Sequence, residues 1–266
     1  MIRRSYLFVP GDRPDRFEKA WNAGADAVII DLEDAVASEQ KAEAREALAA
    51  WLSPEHRVYV RINGTKTEWF EADIAAVAIA GLAGILLPKA EDAREVETVV
   101  KDLPEGATVV PILETALGIW NVRDIAEAPG VERIAFGSID FQLDAGIDGE
   151  DEELLYARSR LVLASRVAGI LPPLDGVTTA LDNVERLTAD VERARRLGFG
   201  GKLCIHPRQI ETVNRGFLPS EAEIVWARRV LEAVKATEAG AVRLGGEMID
   251  RPVVERAKAV LARVAG

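Results

Sequence analysis

Residues 27–32 read AVIIDL, a short apolar run rich in β-branched side chains that ends beside an acid. Such a run, bounded by polar sequence, reads as a β-strand. It is one of eight. SYLFVP (5–10) precedes it, and VYVRI (58–62), GILLP (84–88), TVVPIL (108–113), RIAFG (133–137), GILPPLDG (169–176) and GKLCIH (201–206) follow. The seventh run is the weakest, because two prolines suit an edge or a bulge better than a central strand. Helical patterns separate the runs. Between 182 and 198, for example, Val184, Leu187, Val191 and Ala194 recur at helical spacing. Eight strand–helix alternations predict parallel pairing through right-handed crossovers. Eight such units close into a (β/α)8 TIM barrel, with an open doubly wound sheet as the alternative.

The barrel is expected over residues 1–215, and residues 216–266 as a C-terminal helical extension. PSEAEIVWARRVLEAV (219–234) opens with a capping box, Ser220 followed three residues later by Glu223. EAGAVRLGGEMID (238–250) is glycine-rich and does not read as helix. A last helix follows, with Val253, Val254, Ala257, Val260, Leu261 and Val264 as its apolar stripe. The glycine stretch is a candidate hinge that lets this helix pack away from its own barrel.

Composition narrows the function. A chain of 266 residues with 48% hydrophobic content suits one barrel of about 250 residues. The net charge of −11 argues against general nucleic-acid binding, which needs a basic face. No apolar run approaches the roughly 20 residues of a membrane span, and the N-terminal run is too short for a signal peptide. One cysteine, Cys204, excludes an internal disulfide and suits a reducing compartment, so a cytosolic protein is expected. With only two histidines, His56 and His206, one chain has too few His and Cys side chains for a zinc centre of several such ligands. A metal would be held mainly by oxygen, which favours Mg²⁺ or Mn²⁺.

Barrel chemistry gathers at the C-terminal ends of the strands. Polar residues stand there after almost every run: Asp31, Glu33 and Asp34; Arg61 and Asn63; Lys89; Glu114; Asp140; His206. Glu114 (in PILETALGI) and Asp140 (in FGSIDF, 136–141) would lie on adjacent strands, within reach of one cation. Their other account is helix capping. Arg61 can clamp a carboxylate with two hydrogen bonds, or pair with a barrel acid such as Glu33. Lys89 is an anion contact, an ion-pair partner or a Schiff-base amine. His206 is an acid–base group or an orienting one. Arg13, Arg16 and Lys19 form a phosphate contact or a solvated face.

Taken together, RSYLFVPGDRPDRFEKA, AVIIDLEDAV, VRIN, LPKAED, ILETALGI, FGSIDF, GKLCIHPRQI and GGEMIDRPV resemble the citrate lyase β-subunit family. That family belongs to the HpcH/HpaI aldolase superfamily, with malyl-CoA and citramalyl-CoA lyases as relatives. The resemblance runs from Arg4 to about Val254. It implies a (β/α)8 barrel with Mg²⁺ held by Glu114 and Asp140, and a substrate carboxylate bound by Arg61. It also implies a thioester substrate on CoA or on an acyl-carrier arm, and a homotrimer or hexamer. In this family's CoA lyases an aspartate of the last segment serves the neighbouring subunit's site, and the matching residue is Asp250; its other account is capping before Pro252.

The expected reaction is cleavage of a 3-hydroxyacyl thioester of the citryl-, malyl- or citramalyl-CoA type to an acyl thioester and a 2-oxo acid. Arg61, Asp250 and Glu33 are the catalytic candidates, with Glu33 one choice for the hydroxyl base. Arg61, Arg13, Arg16 and Lys89 are the substrate contacts. The alternatives are a citrate lyase β-subunit acting on a carrier thioester, a non-catalytic thioester-binding homologue, a Schiff-base aldolase using Lys89, and thioester hydrolysis.

Overall fold

The computed structural model describes residues 3–235, 242–244 and 247–265. Its strands are β1 (Ser5–Pro10), β2 (Ala27–Asp31), β3 (Val58–Arg61), β4 (Leu82–Leu87), β5 (Thr108–Leu113), β6 (Ala135–Phe136), β7 (Leu174–Asp175) and β8 (Gly201–Cys204). They pair in chain order and close, β8 against β1, into a barrel of parallel strands. The open doubly wound sheet is thereby set aside.

Alternation explains why the runs are apolar almost throughout. Tyr6, Ile29, Tyr59, Leu86, Ile112, Ala135, Leu174 and Leu203 form one core cluster. Their strand neighbours, such as Val28, Ile30, Val60 and Ile85, point the other way and are buried as well. A strand covered on both faces has no position for an alternating polar residue. The principal helices between strands are Lys41–Trp51, Phe70–Val77, Ala93–Val100, Val122–Glu127, Leu155–Ala168 and Val184–Leu197. No described helix is long and apolar enough to cross a membrane.

Two strands are cut to less than half of the runs that predict them. β6 and β7 have two residues each and share one pair, Ala135 with Leu174. Pro172 and Pro173 precede β7 and have no N–H to donate to the ladder. β6 ends because the chain turns at Gly137 directly into the helix Ser138–Ala145. Asp140 therefore sits in the first turn of a helix, not on a strand end as the run FGSIDF suggested.

By its internal contacts the chain divides into residues 3–214 and a unit containing residues 215–266. In the latter, the helices Glu221–Lys235 and Arg251–Ala265 enclose Ala227, Val230, Ile249 and Ala257. The capping box forms as its spacing predicts: the Ser220 N–H donates to Glu223 Oε2 at 2.8 Å, and the Glu223 N–H to Ser220 Oγ at 3.2 Å. Val242–Leu244 and Glu247–Ile249 pair antiparallel. The three glycines of the candidate hinge stretch 238–250, Gly240, Gly245 and Gly246, lie outside the described residues.

Candidate active site

β2 and β3 run in register so that Asp31 lies directly opposite Arg61 at the barrel mouth. Arg61 Nε and Nη2 donate to the two Asp31 carboxylate oxygens at 2.7 and 2.5 Å. Its Nη1 is 3.0 Å from Glu33 Oε2, and the guanidinium stacks 4.9 Å from the Phe8 ring centre. The forked face expected to clamp a substrate carboxylate is therefore already on Asp31. Only the Nη1 edge remains for a ligand, in exchange for Glu33. Burial works against this cation, but the Asp31 fork and the charges of Glu33 and Asp34 hold its pKa above the usual arginine value.

Glu33 is buried and takes Lys89 Nζ at 2.5 Å. Burial raises the Glu33 pKa, and Arg61 and Lys89 oppose that rise without cancelling it. For Lys89, burial lowers the pKa, but the hydrogen bond to Glu33 and the nearby Glu114 and Asp34 charges outweigh it, so the amine is held above its usual value. A Schiff-base nucleophile needs the neutral amine; here the amine is a paired ammonium.

Glu114 directly follows β5 and is 2% exposed. Its Oε1 accepts from the Lys89 N–H at 2.7 Å. It does not cap the helix Ala116–Trp120. Thr115 does that, accepting from the Gly118 N–H, while Asp144 accepts from the Ala116 N–H at 2.6 Å. Asp140 is half-buried, and no described residue hydrogen-bonds or ion-pairs with it. The Glu114 pKa is pushed up to about 8, first by burial and then by the Asp140 charge.

Glu114 is desolvated beside the Asp140 charge, and a divalent cation between the two carboxylates would remove the cost of ionising it. Among the described residues no group of three or more His, Cys, Asp or Glu is arranged to hold an ion by itself. Two acids, with water and a chelating ligand in the remaining positions, suit Mg²⁺. The residues fit that ion.

The folded chain holds a proton on Glu114 that the unfolded chain, with its carboxyl near 4.5, releases. Metal-free protein should lose stability as pH rises from 4.5 to about 8. The slope from this group is about 1.4 kcal/mol per pH unit at most. Thermal unfolding in EDTA from pH 5 to 8 measures it. Glu114→Gln should flatten the slope, and equal slopes in both proteins would refute the assignment.

Arg61, Asp31, Asp34, Glu114 and Asp140 line one cavity of about 450 Å³. Glu33 and Lys89 line a second, of about 540 Å³, and Asp34 lines both. Arg13 and Arg16 line neither, and Arg13 is forked onto its neighbour Asp15 at 2.9 Å. His206 Nδ1 accepts from the Arg208 N–H and so caps the short turn Pro207–Gln209. Asn63 is consumed by Asp73 and the Leu32 carbonyl. In the C-terminal unit Asp250 Oδ1 accepts from the Val253 N–H at 3.2 Å, capping the last helix. Sequence reasoning paired Arg61 with Glu33 and missed its stronger partner. The signal was the register that sets the last residues of β2 and β3 side by side.

A parallel α/β barrel with paired carboxylates and a half-buried arginine at its C-terminal mouth has the form of a barrel enzyme working at that face. The family model for HpcH/HpaI aldolase/citrate lyase matches residues 4–207. The chain belongs to that family, and is an enzyme of its citrate lyase β-subunit-like group. It is 39% identical to a citrate lyase subunit beta-like protein of Deinococcus radiodurans, covering 99% of this chain and 98% of that one. It is 38% identical to a (3S)-malyl-CoA thioesterase of Cereibacter sphaeroides, covering 98% and 92%. Its structure is similar to that of CitE from Mycobacterium tuberculosis in complex with magnesium, acetoacetate and coenzyme A. The TM-score is 0.90 at 36% identity, covering 100% of this chain and 99% of that one.

Proposed function

We propose that this protein is a Mg²⁺-dependent carbon–carbon lyase that cleaves a 3-hydroxyacyl-CoA thioester to an acyl-CoA and a 2-oxo acid. The observation that carries the reading is the cavity holding Glu114, Asp140 and Arg61 together. Glu114 and Asp140 would hold the ion, which supplies Lewis acidity to the substrate's hydroxyl and adjacent carboxylate when bound. Asp31 locks the Arg61 guanidinium in place, and Arg61 Nη1 binds the same carboxylate. In the reaction the hydroxyl loses its proton to a base. The C2–C3 bond then breaks, its electron pair passes to the thioester as an enolate, and the former hydroxyl carbon becomes the keto carbon. A protonated acid returns a proton to that enolate. We assign this role to Asp250 of a neighbouring subunit in a homotrimer or hexamer. Glu33 faces the adjoining cavity and is tied by two cations, so as the base it acts only after Arg61 or Lys89 releases it. The protein is assigned to the cytosol, where its one cysteine stays reduced.

A panel of hydroxyacyl-CoA thioesters with Mg²⁺, scored for 2-oxo acid, tests the reading. Likeness to a (3S)-malyl-CoA thioesterase favours hydrolysis as the second reading. Release of a free hydroxy acid without 2-oxo acid would establish it, and turnover only with a carrier-bound thioester would make the chain a complex subunit. Arg61→Lys should raise the KM for the 2-oxo acid in the condensation direction by about tenfold. One ammonium cannot both fork onto Asp31 and present a further donor. An unchanged KM would make Arg61 purely structural.

A further inference from the structure

Lys89 is the one non-glycine residue with positive φ among the described residues, at 51°. Left-handed backbone is costly for a side chain with a Cβ, and such outliers persist where surrounding structure holds them. Here the turn does two things at the mouth of β4. It sends the Lys89 side chain to Glu33, and it aims the Lys89 N–H at Glu114 Oε1, 2.7 Å away. On the other side of the same carboxylate lies Gly137. A Cβ built there would stand 2.2 Å from Glu114 Oε2 and 2.4 Å from Glu114 Cβ. Rotation of the carboxylate could relieve the first contact but not the second. Gly137 is also the last residue before the helix that carries Asp140 in its first turn, and its N–H donates to the Leu113 carbonyl at 3.1 Å. The missing Cβ thus lets the start of that helix close on Glu114.

We infer that Lys89 and Gly137 are positioning residues for the Glu114 carboxylate. Lys89 acts through its main-chain N–H, and Gly137 through the absence of a side chain. Together they fix Oε1 on the amide and leave Oε2, which no described group hydrogen-bonds, beside Gly137. This rests on Glu114 and Asp140 being the metal pair proposed above.

Calorimetric Mg²⁺ titration of purified full-length protein, paired with far-UV circular dichroism, tests it. Replacing Lys89 by its α-hydroxy acid exchanges the N–H for an ester oxygen and keeps the ammonium; affinity should fall about tenfold. Lys89→Gly keeps both the N–H and the left-handed turn, and should bind Mg²⁺ no more weakly than wild type. Gly137→Ala should bind at least about tenfold more weakly, since its Cβ must displace the ligand. If that variant does not fold, the contact with Glu114 predicts that Glu114→Gly in the same chain restores the fold, and a double variant that stays unfolded overturns the role of Gly137. Unchanged affinity in the ester or in folded Gly137→Ala overturns the inference, as does a tenfold loss in Lys89→Gly. Wild-type protein that takes up no Mg²⁺ overturns the metal reading itself, a result distinct from all of these.

Discussion

Glu114→Gln and Asp140→Asn should each weaken Mg²⁺ binding by at least about 100-fold, with wild-type circular dichroism. The expectation comes from the shape of the site. Mg²⁺ prefers charged oxygen, and the other acids of the mouth, Asp31 and Glu33, are already engaged by Arg61 and Lys89. The fold should survive both changes for different reasons. The amide introduced by Glu114→Gln carries no charge to desolvate, and its carbonyl can still accept from the Lys89 N–H. Asp140 has no described hydrogen-bond or ion-pair partner to strand. Activity should fall with metal affinity and return in part at high Mg²⁺ if a weakened site can still be filled. Calorimetry that shows wild-type affinity in both variants would remove the metal from this place. A loss in one variant alone would leave a single-acid site and refute the pairing.

Two inactive variants should restore one another. The Asp250→Asn protein should bind thioester and turn over poorly, because it lacks the enolate's proton donor. Glu114→Gln is the better barrel lesion to set against it. Arg61→Ala would leave Asp31 buried and unpaired, at a cost of several kcal/mol. If Asp250 serves a neighbour, some sites in a mixed oligomer combine an intact barrel with an intact acid. Random mixing in equal amounts makes about one site in four competent, so co-expression should return about a quarter of wild-type activity. If Asp250 serves its own barrel, every site carries one lesion and no activity returns. A monomer in solution would defeat the proposal as well. The capping bond to the Val253 N–H is compatible with either result, since an N-cap carboxylate has a second oxygen free to act.

The difference between Asp140 and Glu114 shows how legibility varies within one site. Glu114 directly follows a six-residue strand whose apolar run is unambiguous, at the C-terminal end the sequence indicates. Asp140 belongs to FGSIDF, which reads as a continuing strand because Phe136, Ile139 and Phe141 are all apolar. In the structure these residues straddle a strand end and a helix start, and a short apolar run does not distinguish the two periods. Ile139 is 47% exposed, an outcome a strand reading would not have supplied.

Local chemistry by itself determined the eight strands, the helices between them, the capping box at Ser220 and Glu223, and the supply of acids near the strand ends. Each depends on neighbours a few residues away: alternation, helical periodicity, or a side chain reaching its own backbone. Closure of the barrel decided the rest. It set Asp31 against Arg61, which are 30 residues apart, and brought the Lys89 N–H to Glu114, 25 residues away. It also divided the strand-end residues between two cavities, giving Glu33 and Lys89 to one and Glu114 and Asp140 to the other. A hydrogen-bond partner is chosen to within a few tenths of an ångström by strand register and main-chain direction. Composition places an acid near the mouth, but only the folded backbone determines which cation or amide it meets.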